Sequence, residues 1–313
     1  MAGDFQWKQY KKRMSTNKPI LVITSQVVRG RIGARASVFA LERLGHPAWF
    51  LPTITLPWHP GHGKGQRIIA PSDEFEAIID DLIGNDQLSN LNGIITGYLG
   101  NAEQAGPIAK LIKTAKSQSP KLLYCCDPVI GDEGGLYVPE ETASAIRDQL
   151  LPLADLITPN RFEFDWLTKK IHAINEDIVE TAKTLSHRYV AVTSAFAMMK
   201  QSQGTLLYDR SADDALLAEH RAFDNAPNGP GDLFAGLLMA RLLSGQTPQK
   251  ALQTATAGVF DVLAQTVKRG ADELVLIEEQ SRIDHPMAMV NMRRVGGPVV
   301  RRKGVVAKPT SLT

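Results

Sequence analysis

Along this chain, short runs of β-branched and apolar residues alternate with longer stretches in which apolar residues recur every three or four positions. The runs PILVIT (19–24), GIITGYLG (93–100), KLLYCC (121–126), ADLITP (154–159), YVAVTS (189–194) and ELVLI (273–277) predict strands. Between them, GARASVFALERLG (33–45), SDEFEAIIDDLIG (72–84), AEQAGPIAKLIKTAKSQ (102–118), PEETASAIRDQLL (139–151) and EDIVETAKTLSHR (176–188) predict helices. In the second of these, Phe75, Ile78, Ile79 and Leu82 fall at i, i+3, i+4 and i+7, one helical face. Strands apolar on both faces and separated by helices imply an α/β fold, a doubly wound, mostly parallel central sheet flanked by helices. No internal repeat or low-complexity linker divides it, so one domain is expected over residues 19–290.

Charge changes the picture at the ends. The net charge of +2 is the sum of +4 from residues 1–19, +6 from residues 291–313 and −8 from the body between them. The domain is therefore acidic, preceded by a basic extension (1–18) and followed by a basic tail (291–313). The basic segments have little aromatic interleaving and no nucleic-acid motif, so solvated termini are expected and no nucleic-acid partner. No apolar run of about 18 residues suits a membrane span, and the N-terminal stretch has no apolar segment of the secretory kind. Cys125 and Cys126 are adjacent on a predicted strand, where they point to opposite faces, so no disulfide joins them and a reducing, cytoplasmic setting is expected.

In a sheet of this kind ligands bind beyond the carboxyl ends of the strands. The polar residues there are Ser25, Tyr98, Asp127, Thr158, Asn160, Glu163, Thr193 and Ser194. The most pointed signal is NAPNGPGDLFAGLLMARLLSG (225–245), a Gly/Pro run ending in Asp232 at the mouth of an apolar helix. Gly229 and Gly231 allow close backbone approach, and the unpaired N–H groups of a first helical turn form a seat for phosphate. Pro230 suits the first helical position. Asp232 in the same turn is placed to take a proton from a hydroxyl attacking that phosphate.

These features resemble the ribokinase-like kinases, and the chain is similar to the pyridoxal kinases among them from about residue 20 to 283. The resemblance is carried by SQVVRGRIG (25–33), TGYLG (96–100), CDPVIGDEGGLYVPEE (126–141), LLPLADLITPNRFEFDWLT (150–168) and GPGDLFAGLLMARLL (229–243). It implies ATP-dependent phosphorylation of the 5′-hydroxymethyl group of pyridoxal, with Mg²⁺ and a monovalent cation such as K⁺, by a homodimer. It also implies roles: Asp232 as base, Gly229 and Gly231 opening the anion hole, and Ser25, Leu56, His59 and Tyr98 around the vitamin. Asp127, Asp132, Asn160 and Glu163 would face the nucleotide phosphates and their Mg²⁺, with Asp127 and Glu163 nearest the metal. Thr158, Thr193 and Ser194 would lie along the nucleotide, and Tyr137 would belong to a flap over it.

The chain departs from that family at Ala34, at WHPGH (58–62), where Pro60 and His62 replace Thr and Tyr, at Leu56 and at Asn228. Trp58 is the candidate for the aromatic surface missing at Leu56. His59 and His62 have the spacing of a metal pair but no third ligand nearby in sequence. The competing readings are a kinase of a related heterocycle such as hydroxymethylpyrimidine, whose members carry Cys in place of Asp232, and a non-catalytic binding protein of the same fold. A nicotinamide-dependent oxidoreductase is disfavoured because no GxGxxG follows the first strand.

Overall fold

The computed structural model describes residues 17–223 and 226–296. Eleven strands are present among them: β1 (Ile20–Val27), β2 (Ala48–Leu56), β3 (Gly93–Thr96), β4 (Leu123–Cys126), β5 (Gly131–Asp132), β6 (Gly135–Leu136), β7 (Leu156–Ile157), β8 (Tyr189–Ala195), β9 (Ser202–Asp209), β10 (Asp214–Arg221) and β11 (Asn291–Arg294). The helices are α1 (Ala34–Arg43), α2 (Ser72–Gly84), α3 (Ala105–Gln118), α4 (Glu140–Ala145), α5 (Arg161–Thr168), α6 (Asn175–Thr184), α7 (Pro230–Leu243), α8 (Pro248–Lys268) and α9 (Gln280–Asp284).

Nine strands form one sheet in the order β11-β10-β9-β8-β7-β4-β3-β1-β2. From β2 to β8 all pairings are parallel, and β8 through β11 continue the sheet antiparallel. The doubly wound, mostly parallel α/β arrangement expected from the alternation is the one found. Two apolar layers cover the sheet. One face packs against α2, α3 and α6 through residues such as Phe75, Ile79, Ile112 and Ile178. The other packs against α1, α7 and α8 through Ala40, Leu41, Leu237, Leu238 and Leu252. Cys125 and Cys126 are buried, free, and on opposite faces, one in each layer.

ELVLI (273–277) is not a strand. Leu274, Val275 and Leu276 are buried, with Leu274 and Leu276 in the layer of α7 and α8. The segment meets its backbone demands in turns, and Thr266 Oγ1 of α8 accepts the Val275 N–H. Burial here comes from plugging helices, not from joining the sheet. Residues 291–294, expected as the start of a basic tail, form the edge strand β11. Arg293 pairs with the fully buried Glu219 at 2.6 Å and Arg294 with Asp214 at 3.3 Å. Residues 1–16 and 297–313, which hold most of the expected basic termini, lie outside the described residues.

Two irregularities matter for function. The β1–β2 register shifts between Thr24 and Gln26, and the β8–β9 register shifts between Thr193 and Ala195. Bulges bend a strand and re-aim the side chain at the extra residue. The residues at these shifts are Ser25 and Ser194, the latter at φ +52, and both line the same cavity.

Candidate active site

That cavity, about 590 Å³, lies at the carboxyl ends of the parallel strands. Its walls come from distant parts of the chain, including Ser25, Leu56, Tyr98, Asn160, Thr193 and Asp232.

The start of α7 forms one wall. Gly229 has φ +107, and a Cβ there would lie 2.5 Å from the Arg31 carbonyl oxygen, so both conformation and space require glycine. A Cβ on Gly231 would meet nothing within 4 Å, so the bare glycine leaves the first turn open. Pro230 occupies the first helical position. Leu233 N–H donates to the Gly229 carbonyl at 3.1 Å, so the N–H groups of Gly231 and Asp232 precede the first intrahelical donor and have no acceptor within the helix. They carry the positive end of the helix dipole.

Asp232 is fixed by a partner 199 positions earlier, the Gly33 N–H, which donates to its Oδ2 at 2.9 Å. Gly33 sits at φ +59, where a Cβ would come 2.4 Å from Ser25 Oγ. One glycine thus ties the base candidate to Ser25. Burial pushes the Asp232 carboxyl up to about 6, against the lowering effect of its backbone hydrogen bonds. A carboxylate poised there is ionised at neutral pH and still basic enough to accept a proton.

A second group of acids lies just beneath the wall. Asp127, Thr158 and Glu163 are buried, at 6%, 4% and 4% exposure, and do not themselves line the cavity. Thr158 Oγ1 donates to Asp127 Oδ1 at 2.8 Å. Burial first, then the negative charge of Asp232, raises the Asp127 carboxyl to about 7. Asn160 and Glu163 form a reciprocal cap at the start of α5, each side chain accepting the other's backbone N–H. The other Glu163 oxygen accepts the N–H groups of Ile130 and Gly131 at 2.9 and 3.3 Å. Asn160 Nδ2 donates to the Gly131 carbonyl at 2.8 Å. Glu163 is therefore the peg on which the β5–β6 hairpin hangs. Its carboxyl is nevertheless pushed well up, by burial and by Asp127. The hairpin brings Asp132 and the half-exposed Tyr137 to the cavity rim.

At the end expected to take the ring, the lining includes Ser25, Ile32, Leu56, His59, Pro60 and Tyr98. Tyr98 is clamped by its backbone: its N–H donates to Thr24 Oγ1 at 3.0 Å and its carbonyl accepts from Thr53 Oγ1 at 2.6 Å. His59 Nδ1 accepts the Gly61 N–H at 3.1 Å and lies 3.2 Å from Asn228 Nδ2, so a histidine that matches the family pattern meets one departure from it, Asn228, across the mouth. Trp58 does not fill the gap left at Leu56. It is absent from the cavity wall and lines an open groove on the other side of Leu56 with Val28, Lys64 and Ile68, and its Nε1–H donates to the Gly63 carbonyl at 3.1 Å. Ile32 and Leu56 provide the apolar surface instead.

A family model described as phosphomethylpyrimidine kinase matches residues 73–275. The pyridoxal kinase PdxY of Pseudomonas entomophila is 33% identical over 297 residues, covering 90% of this chain and 99% of that protein. The chain belongs to the pyridoxal kinase family. Among solved structures, a Leishmania donovani pyridoxal kinase in complex with ADP and pyridoxamine superposes with a TM-score of 0.82 at 26% identity, covering 89% of this chain and all (100%) of that one. The pyridoxal kinase of Entamoeba histolytica, at 21% identity and a TM-score of 0.81, shares the fold over 90% of this chain and 100% of its own.

Several residues in or behind the cavity wall of this family member carry no signal of their own in the sequence. Gly33 was visible only as part of SQVVRGRIG, not as the donor to Asp232. Arg67 reaches the cavity from an otherwise polar loop. At another part of the wall are His220 and Thr256. Burial lowers the His220 imidazole, whose Nδ1 lies 2.8 Å from the Arg221 carbonyl. The buried Thr256 hydroxyl has no hydrogen-bond partner among the described residues. His220 and Thr256 are isolated residues in a strand and in a helix pattern, distinguished only by what faces them.

Proposed function

We propose that this chain transfers the γ-phosphoryl group of ATP to the 5′-hydroxymethyl group of pyridoxal, with Asp232 as the base. The observation that carries the reading is the first turn of α7, where a carboxylate held by the Gly33 N–H adjoins a glycine-opened helix start inside the cavity. Asp232 accepts the hydroxyl proton as the oxygen attacks, while the N–H groups of Gly231 and Asp232 meet the charge spreading over the transferred phosphoryl. Ser25 and Tyr98 orient the ring, and the β5–β6 hairpin with Tyr137 shields the phosphates.

Mg²⁺ fits the acids beneath the wall. After burial, the charge of Asp127 raises the Glu163 carboxyl and the charge of Asp232 raises that of Asp127, so the cluster favours a cation. The Glu163 oxygens already accept three backbone N–H groups, which suits holding the water shell of an ion delivered on phosphate better than direct ligation. Asp127 and Glu163 would hold the water shell of such an ion, which would supply positive charge against the nucleotide phosphates. A homodimer belongs to the same reading, and light scattering of the purified chain tests it.

The name of the matching family model favours one second reading, phosphorylation of hydroxymethylpyrimidine. Coupled measurement of ADP release with pyridoxal, pyridoxine, pyridoxamine and hydroxymethylpyrimidine decides between them. The B6 vitamers are expected to be turned over with the higher kcat/KM. Asp232→Asn is expected to lose about 10²–10⁴-fold in kcat while still binding ATP. Near-normal turnover by that folded variant would remove Asp232 from the chemistry.

A further inference from the structure

Arg67 has no role in the reading above, yet it is the only Lys or Arg lining the cavity among the described residues. It forms no ion pair with a carboxylate among them either. Its Nη2 donates to the Tyr98 phenolic oxygen at 3.1 Å. Both ends of that hydrogen bond are held in place. Tyr98 is clamped through Thr24 and Thr53, and it packs with Val27, Ile54 and Leu56. The backbone next to Arg67 is pinned by two hydrogen bonds between Ile68 and Thr55, at 2.8 and 3.0 Å, which seat the loop on the end of β2. An exposed arginine is ordinarily free to sweep through solvent. This one is anchored at the ring end of an otherwise acidic cavity, whose other charged lining residues are Asp132 and Asp232.

A guanidinium without a carboxylate partner, fixed on a cavity wall, is a recognition element for an anionic oxygen. Pyridoxal offers one. Its ring hydroxyl is acidic because the ring nitrogen withdraws electrons, so at neutral pH the ring carries an oxyanion. That oxygen lies two ring positions from the carbon bearing the hydroxymethyl group. With the hydroxymethyl at Asp232, it points to a different wall. Hydroxymethylpyrimidine has no such oxygen. Resting on the pyridoxal reading, we infer that Arg67 is a specificity residue that binds the ionised ring oxygen of the substrate, with Tyr98 as its support. It selects hydroxypyridines over uncharged pyrimidines and takes no part in moving the phosphoryl group.

The test compares the native chain with Arg67→Met and Arg67→Lys, using pyridoxal, an analogue lacking the ring hydroxyl, hydroxymethylpyrimidine and ATP. Loss of a charge-assisted hydrogen bond predicts a rise of about tenfold or more in KM for pyridoxal in Arg67→Met, with kcat and KM for ATP unchanged. The analogue and the pyrimidine should show no rise, and Arg67→Lys should recover part of the loss. The pyridoxal advantage of the native chain should also shrink as pH falls through the ionisation of the ring hydroxyl. Equal effects on pyridoxal and the analogue would overturn the inference, as would a rise in KM for ATP, which would place Arg67 on the phosphates. Dissociation constants for the rings, read from their absorbance without ATP, give the same comparison independently of turnover. A native chain that binds pyridoxal but does not phosphorylate it therefore refutes the proposed function and leaves this inference to be judged on binding.

Discussion

Replacing Asp127 by Asn should make the ligand-free protein more stable at alkaline pH while impairing its chemistry. The Asp127 carboxyl is raised from 3.8 to about 7, first by burial and then by the charge of Asp232. A carboxyl whose affinity for its proton is higher in the folded state supports folding when protonated. That support is complete below about pH 4 and is lost as pH rises through about 7. Three pKa units at 1.36 kcal/mol each set a ceiling of about 4 kcal/mol on the cost of holding the ionised group in the folded state at pH 8. Relaxation and water in the neighbouring cavity reduce this, so about 2–3 kcal/mol is expected. Asn keeps an oxygen to accept the Thr158 hydroxyl and carries no charge. Urea unfolding at pH 4.5 and pH 8 measures the effect. The variant's lead should be no more than about 1 kcal/mol at pH 4.5, where the folded carboxyl is still protonated, and should grow to about 2–3 kcal/mol at pH 8. Saturating ATP with Mg²⁺ should narrow the gap, because a cation near the acids relieves the native chain selectively. A variant no more stable than the native chain at pH 8, with both matched at pH 4.5, would refute the claim that this acid cluster strains the empty site. A variant weaker at both pH values would instead mean that the Thr158 contact needs the carboxylate.

Since the Asp232 carboxyl is raised to about 6, kcat/KM for pyridoxal should climb as pH rises through about 6, and a profile flat from pH 5 to 8 would exclude it as the titrating base. Glu163→Gln turns an amide N–H₂ toward backbone donors that now meet a carboxylate oxygen; it should raise the Mg²⁺ and ATP requirements, read from initial rates, and leave KM for pyridoxal nearly unchanged. Pro60→Thr restores a hydroxyl on the cavity wall and should lower KM for pyridoxal with little change in kcat, an outcome that steady-state kinetics checks directly. Gly229→Ala forces a side chain into φ +107 and against the Arg31 carbonyl, so it should lower the melting temperature as well as kcat, whereas Gly231→Ala, facing open space, should affect kcat far more than melting. Ending the chain after residue 296 should preserve activity, while ending it after residue 290 removes β11 and the Arg293 partner of buried Glu219; thermal melts of the two truncations should differ sharply.

Contiguous stretches of the chain carry part of this architecture without reference to anything distant. The α2 boundaries, Ser72–Gly84, follow from one apolar face and are reproduced residue for residue. The parallel character of the sheet follows from strands apolar on both sides, and the glycine-opened start of α7 from NGPGD. Tertiary structure decided the rest, because it rests on pairs that no local window contains. ELVLI has the composition of a strand, yet its apolar side chains serve the helix layer and its backbone is satisfied by turns and Thr266. β2 has no clear strand signal because Pro52 interrupts its pattern, which an edge strand whose one neighbouring strand is β1 tolerates. β9, β10 and β11 carry too many polar residues for the rule that revealed the central strands. The site shows the same division. Asp232, Ser25 and Tyr98 were legible as polar residues at strand and helix ends. That Asp127, Thr158 and Glu163 stand behind the wall depends on packing depth, and that Gly33 holds Asp232 depends on two segments meeting 199 residues apart. Arg67 took on meaning only when the end of β2 placed it against Tyr98, since a charge in a polar loop acquires a function from what it faces.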